Sequence, residues 1–167
     1  MTVLHYQFND GGKYAAGYTG KRVTGDCVTR AIAIASGLPY ETVRTELMDL
    51  QYRWCTTSNS RAARICRERQ TKSVMRGVWK QVYKPYLKQL GFTYKSLCTV
   101  GSSKRYHLVV DDLPTGTLIV KTRRHLSCVI NHVLHDAYDS RFKNQWVNGE
   151  PTTNMIPATV WSYWIKD

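Results

Sequence analysis

A chain of 167 residues with 43% hydrophobic and 22% charged side chains is long enough for one domain with a real core, and too apolar to stay disordered. No apolar run approaches the roughly 18–20 residues of a membrane span. The opening Met-Thr-Val-Leu-His-Tyr-Gln-Phe lacks the basic and apolar regions of a signal peptide, and five cysteines without CxxC spacing suggest neither a zinc pattern nor a disulfide framework. The expectation is a cytoplasmic protein with free thiols, no cofactor, no metal and no membrane partner. The formal charge of +12, from 24 basic and 12 acidic side chains, points instead to an anionic partner.

In chain order, residues 3–8 suit a short strand, and Asn9 to Lys21 a flexible, glycine-containing loop. A first helix spans roughly 26–36, with Asp26 as N-cap and Gly37 as stop. Its Ala-Ile-Ala-Ile-Ala run has small residues on nearly every side, so it belongs in the middle of the domain. Val43, Leu47 and Leu50 give a second helix, about Tyr40 to Tyr52, one apolar face, and residues 56–60 break it. A basic helix or excursion follows over 61–72. Val78, Trp79, Val82, Tyr83, Tyr86, Leu87 and Leu90 then form a helical stripe closed by Gly91, with Pro85 expected to kink or restart the helix.

Residues 61–88 hold nine Lys/Arg against only Glu68, so this segment carries +8 of the net charge. Arg61, Arg64, Arg67, Arg76, Lys80, Lys84 and Lys88 are its candidate contacts to an anionic partner. The plainer reading is a solvated basic surface that aids solubility. Beyond Gly91 the pattern turns to strands: 92–97, 107–110, 117–122, 125–130, 133–138 and 160–165. Helices first and strands afterwards indicate an α+β fold.

Cys27 stands at the start of the first helix, where unpaired N–H groups and the helix dipole favour thiolate over thiol. About a hundred residues later, His125 to Ile130 and Val133 to Tyr138 read as a hairpin around Asn131-His132. With that turn, Ile130 pairs with Val133, Ser127 with Asp136 and His125 with Tyr138. Asp136 then becomes a diagonal neighbour of His125, while Asp139 has the wrong parity. A three-residue turn would reverse that choice. The set is chemically complete: Cys27 as nucleophile, His125 as proton carrier, Asp136 as its orienting carboxylate, and the Cys27 N–H as an oxyanion donor. Each residue also has a plain structural reading, as a small buried thiol, a satisfied strand histidine and a turn-forming aspartate.

The order of these groups resembles the papain-like cysteine peptidase superfamily. Gly25-Asp26-Cys27-Val28-Thr29-Arg30-Ala31 is similar to the nucleophile region of compact phage and bacterial members. Gly116-Thr117-Leu118-Ile119-Val120, leading to His125 and His135-Asp136, is similar to their histidine hairpin. The resemblance implies a single domain over residues 1–167, with N-terminal helices packed on a C-terminal antiparallel sheet and a basic helical insert at about 56–90. It implies thiol hydrolase chemistry on a peptide, isopeptide or related amide bond, in the host cytoplasm if the chain is phage-encoded. Such peptidases carry a Gln about six residues before the cysteine as a second oxyanion donor. Lys21 stands there, leaving Gln7, Asp26 or another backbone N–H as alternatives.

A second reading is a catalytically inactive papain-like module that binds nucleic acid or an acidic protein through the basic segment, a phage counter-defence protein being one such case. Trp79, Tyr83 and Tyr86 would then be stacking groups, although their apolar stripe assigns them to the core. Scattered histidines argue against a zinc hydrolase. Loops 9–24 and 139–158 are expected to shape the substrate pocket.

Overall fold

The computed structural model describes residues 1–19, 25–69, 73–98, 101–143, 146–147, 150–151 and 155–166. The elements in chain order are β1 (His5–Phe8), α1 (Cys27–Ser36), α2 (Tyr40–Thr57), α3 (Arg61–Glu68), α4 (Lys80–Gln89), β2 (Thr93–Ser96), β3 (Tyr106–His107), β4 (Thr117–Lys121), β5 (Leu126–Ile130), β6 (Val133–Asp136), β7 (Trp146–Val147), β8 (Glu150–Pro151), β9 (Thr159–Val160) and β10 (Ser162–Lys166). The architecture is α+β. Six strands form one sheet in the order β1-β6-β5-β4-β10-β2, antiparallel except where β1 joins β6. Strands β3 and β9 pair separately, as do β7 and β8. No helix among the described residues is long and apolar enough to cross a membrane.

The sheet is covered on both faces, and strand alternation divides the core accordingly. Ile119 and Trp164 join Ile32, Leu47, Tyr83 and Leu87 from the helices. Their strand neighbours Leu118 and Val120 join Val129, Leu134, Leu4 and Leu108 in a second cluster. Burying each such side chain contributes about 1.5–3 kcal/mol. Helix α1 packs on both β5 and α2, and Ala31, Ile32 and Ala33 are at most 3% exposed. Small side chains let this helix approach sheet and helix at once. Gly37 ends it with φ 73°, its N–H donating to the Ala33 carbonyl at 2.9 Å.

Helix α2 runs to Thr57, five residues beyond its expected end at Tyr52. The Thr56 and Thr57 hydroxyls bond back to the carbonyls of Tyr52 and Arg53, and Arg67 donates to the carbonyls of Cys55 and Ser58. These bonds satisfy carbonyls at the helix end, so the polar run ends the helix later than its composition suggests. Pro85 lies inside α4, which continues through it rather than restarting. Tyr86 and Leu87, both buried beyond the proline, anchor that last turn. Of the basic excursion, residues 61–68 are helical and residues 70–72 lie outside the described residues.

Candidate active site

Asn131 and His132 both adopt positive φ, 47° and 66°, the tight-turn conformation that matches the twist of paired strands. Ile130 faces Val133 and Val129 faces Leu134, the register of a two-residue turn. The open end of the hairpin carries His125, one residue before β5, and Asp136, the last residue of β6. His125 Nε2 lies 2.5 Å from Asp136 Oδ2. This bond commits Nε2 to the carboxylate and leaves Nδ1 for Cys27. The Tyr138 ring stands against the imidazole with centroids 5.1 Å apart.

Asp136 is itself held from several sides. Ser140 donates its hydroxyl to Oδ2 and the Ala137 N–H donates to Oδ1, both at 2.8 Å. The carboxylate is 3% exposed and lies 3.8 Å from the Arg30 guanidinium. Asp139, the alternative rejected on parity, is gripped by Arg141 at 2.9 and 2.7 Å, and that contact holds its carboxyl below the usual range.

Cys27 is the first residue of α1. Burial alone would raise its pKa. The hydrogen bond with His125, the Leu126 backbone N–H, the charge of His125 and the charge of Arg30 together outweigh burial and lower it. Burial likewise opposes protonation of His125. The hydrogen bonds to Asp136 and Cys27 and the charges of both prevail, and raise the imidazole to about 9. The two shifts run in the same sense: each group favours the charged form of the other.

Behind Cys27 lies a group of buried charges that sequence patterning does not reveal. Asp26 occupies the N-cap position of α1, yet its side chain makes no capping bond. It accepts from Lys13 Nζ at 2.7 Å, from the Tyr40 hydroxyl at 2.7 Å and from the Arg30 guanidinium. All three of its oxygen partners are buried, and Tyr40 is kept firmly protonated, first by burial and then by Asp26. Three potential cations (Lys13, Arg30, His125) therefore face three potential anions (Asp26, Asp136, Cys27) within one linked cluster. Ionisation of the thiol would complete that balance. Because Asp26 does not cap, no side chain among the described residues bonds the first N–H groups of α1, the groups that an oxyanion would use.

Two glycines permit this packing. A Cβ on Gly25 would lie 2.2 Å from the Met75 carbonyl oxygen, in the 3-10 turn Val74–Arg76. A Cβ on Gly11, whose φ is 69°, would lie 3.1 Å from the Arg30 carbonyl oxygen. The described part of the 9–21 loop is an ordered series of turns: Asn9 accepts from the Gly11 N–H, and Asp10 from those of Gly12 and Tyr14.

Comparisons with models of protein families, with curated proteins and with solved structures found no match for this chain.

Lys21, at the position of the expected second oxyanion donor, lies outside the described residues. Gln7 sits on β1 opposite His135 and is exposed. Asp26 serves as an acceptor for three donors, which removes its carboxylate from consideration as an oxyanion donor. Arg61, Arg64, Arg67, Arg76, Lys80, Lys84 and Lys88 are all exposed. Arg67 is engaged on α2, and Lys84 lies over the Tyr94 ring at 4.6 Å. Tyr83 and Tyr86 are buried and Trp79 packs against the core, so none of the three offers a free stacking face.

A cleft of about 1250 Å³ opens beside His125, lined by His125 and Tyr138 and by parts of segments 97–106, 122–124, 139–143 and 158–161. The expected loop 139–158 contributes to its wall. A smaller cavity of about 290 Å³ is lined by Lys13, Tyr14, Tyr18 and Arg30 from the other expected loop and α1. Tyr138 borders both.

Proposed function

We propose that this chain is a thiol hydrolase that cleaves a peptide, isopeptide or related amide bond. The carrying observation is the His125 ring, bonded through Nε2 to Asp136 and coupled to Cys27 at the start of α1. The likeness of residues 25–31 and of the histidine hairpin to papain-like peptidases supports the same reading.

In this reading the Cys27 thiolate adds to the scissile carbonyl, and the N–H groups at the start of α1 stabilise the resulting oxyanion. Collapse breaks the C–N bond while the imidazolium of His125 gives its proton to the leaving nitrogen. The amine departs and the acyl group remains as a thioester on Cys27. Neutral His125 then takes a proton from water, hydroxide attacks the thioester, and the acid is released with the thiolate restored. Asp136 keeps the ring oriented and stabilises its positive charge through both halves. Ser140, Ala137 and Arg30 hold Asp136 in place.

Alkylation tests the reading without a known substrate. With limiting iodoacetamide at neutral pH, peptide mapping should find Cys27 modified ahead of Cys98, although Cys98 is the more exposed thiol. His125→Ala should slow modification of Cys27 by about tenfold as the thiolate fraction drops. Modification of Cys98 first, or a Cys27 rate indifferent to His125, overturns it.

A further inference from the structure

The cleft beside His125 is strongly basic. Lys104, Arg105, Arg123, Arg124 and Lys143 line it and are exposed, and none has an ion-pair partner among the described residues. Asp139 also lines it, but both of its oxygens are held by Arg141. The exposed basic side chains of 61–88 contribute nothing to this wall. Five cations from three separate stretches of chain thus converge on one concavity next to the catalytic candidates, where low-dielectric walls focus the field.

The position of the cleft has a chemical meaning. His125 lines it and Cys27 does not. Under the hydrolase reading, the acyl carbon sits on Cys27 and the leaving nitrogen sits against the imidazolium that protonates it. Whatever chain is attached to the leaving nitrogen therefore passes His125 into the cleft. We propose that the cleft binds an acidic polypeptide segment on the amine side of the scissile bond, with aspartate or glutamate side chains paired to these five cations. This proposal rests on the hydrolase reading for its polarity, and on the cleft alone for its preference for carboxylates.

The proposed chemistry favours a peptide over a nucleic acid, because the chain that enters the cleft is the one attached to the leaving nitrogen of an amide. Lys104 lies over the Tyr106 ring at 4.7 Å. Tyr138 and Trp161 also line the cleft and are 48% and 47% exposed, so base stacking on those rings is the competing outcome that an oligothymidylate arm of the test reads. The guanidiniums of Arg123 and Arg124 suit the two-oxygen geometry of carboxylates, as they do that of phosphates.

The test separates the cleft from the chemistry. Fluorescein-labelled hexaglutamate and hexaglutamine are titrated by anisotropy into Cys27→Ala protein at low salt. Hexaglutamate should bind and hexaglutamine should not. The double substitution Arg123→Gln with Arg124→Gln should weaken hexaglutamate binding by about tenfold, whereas Lys80→Gln, Lys84→Gln and Lys88→Gln together should change it by less than about twofold. Circular dichroism of each variant confirms folding. Wild-type protein incubated with a proteome-derived peptide library should then yield cleavage sites enriched in Asp and Glu on the amine side only. Hexaglutamate binding without any cleavage sustains the basic cleft and overturns the hydrolase reading. Cleavage without acidic preference, or with preference on the acyl side, overturns the cleft proposal and leaves the hydrolase reading standing. Equal binding of hexaglutamine, loss of binding only in the Lys80/Lys84/Lys88 variant, or tighter binding of an oligothymidylate at the same salt also overturns it.

Discussion

Two charged regions of this protein obey opposite rules. The Lys13–Asp26–Arg30 cluster behind Cys27 is dry and paired, both cations sharing Asp26 and Arg30 also lying near Asp136. Among the described residues, the basic side chains of 61–88 are exposed and make no ion pair, and the segment holds most of the net charge. Charge counting along the chain highlights the second region and overlooks the first. Energetics reverse that order, because removing one member of a buried pair strands its partner without water, while an exposed charge has solvent on every side. Prominence in the sequence therefore says little about which charges hold the molecule together.

The comparison breaks most visibly at Asp26. Asp26→Ala should cost about 3–5 kcal/mol, since Lys13 and Arg30 lose their shared carboxylate inside the core, and urea unfolding measures this directly. A loss below about 1 kcal/mol would show that the buried cluster is as dispensable as the surface. A smaller effect should come from pH. The folded pKa of His125, about 9, lies above its ordinary 6.5, so folding favours the protonated ring. That contribution is complete below pH 6.5 and fades as pH rises through 9, at most about 3 kcal/mol. The lowered Cys27 pKa works in the opposite sense, so in a Cys27→Ser background unfolding curves with His125 and with His125→Gln should converge across that window. Divergence with rising pH would contradict the imidazolium. The smallest effect belongs to the surface: replacing Lys80, Lys84 and Lys88 by Gln should alter stability by less than about 0.5 kcal/mol and leave Cys27 alkylation unchanged.

Much of the local structure was legible. The start of α1, its glycine stop, the apolar stripe of α4 and the positive-φ turn at Asn131-His132 all depend on neighbours within a few residues, where composition and periodicity speak directly. The pairing of His125 with Asp136 followed from the turn, because a two-residue loop fixes parity along both strands. What escaped was long-range. Lys13 sits among glycines that suggest mobility, and only the folded chain brings it to Asp26. Gly25 looks like an ordinary turn residue until Met75 is set against it. The cleft cations fall in pairs or singly along the chain, too dispersed to stand out beside the dense run at 61–88. Asp26 carries the signature of a helix cap and uses its carboxylate elsewhere, a choice that depends on three partners from three segments.

The parallel contact between β1 and β6 carries a consequence for the order in which the molecule is made. Tyr6 reaches the Asp136 carbonyl across 130 residues of chain, and Asn9 donates to the same carbonyl at 2.9 Å. Strand β1 is synthesised long before β6 and waits for it to dock. Helix α1, with its thiol, can form early from local contacts, whereas its histidine and aspartate arrive only after most of the chain has been synthesised. Until then Cys27 lacks the His125 and Leu126 contacts that lower its pKa. The electrostatic setting of this thiol is therefore completed late, by residues about a hundred positions away from it.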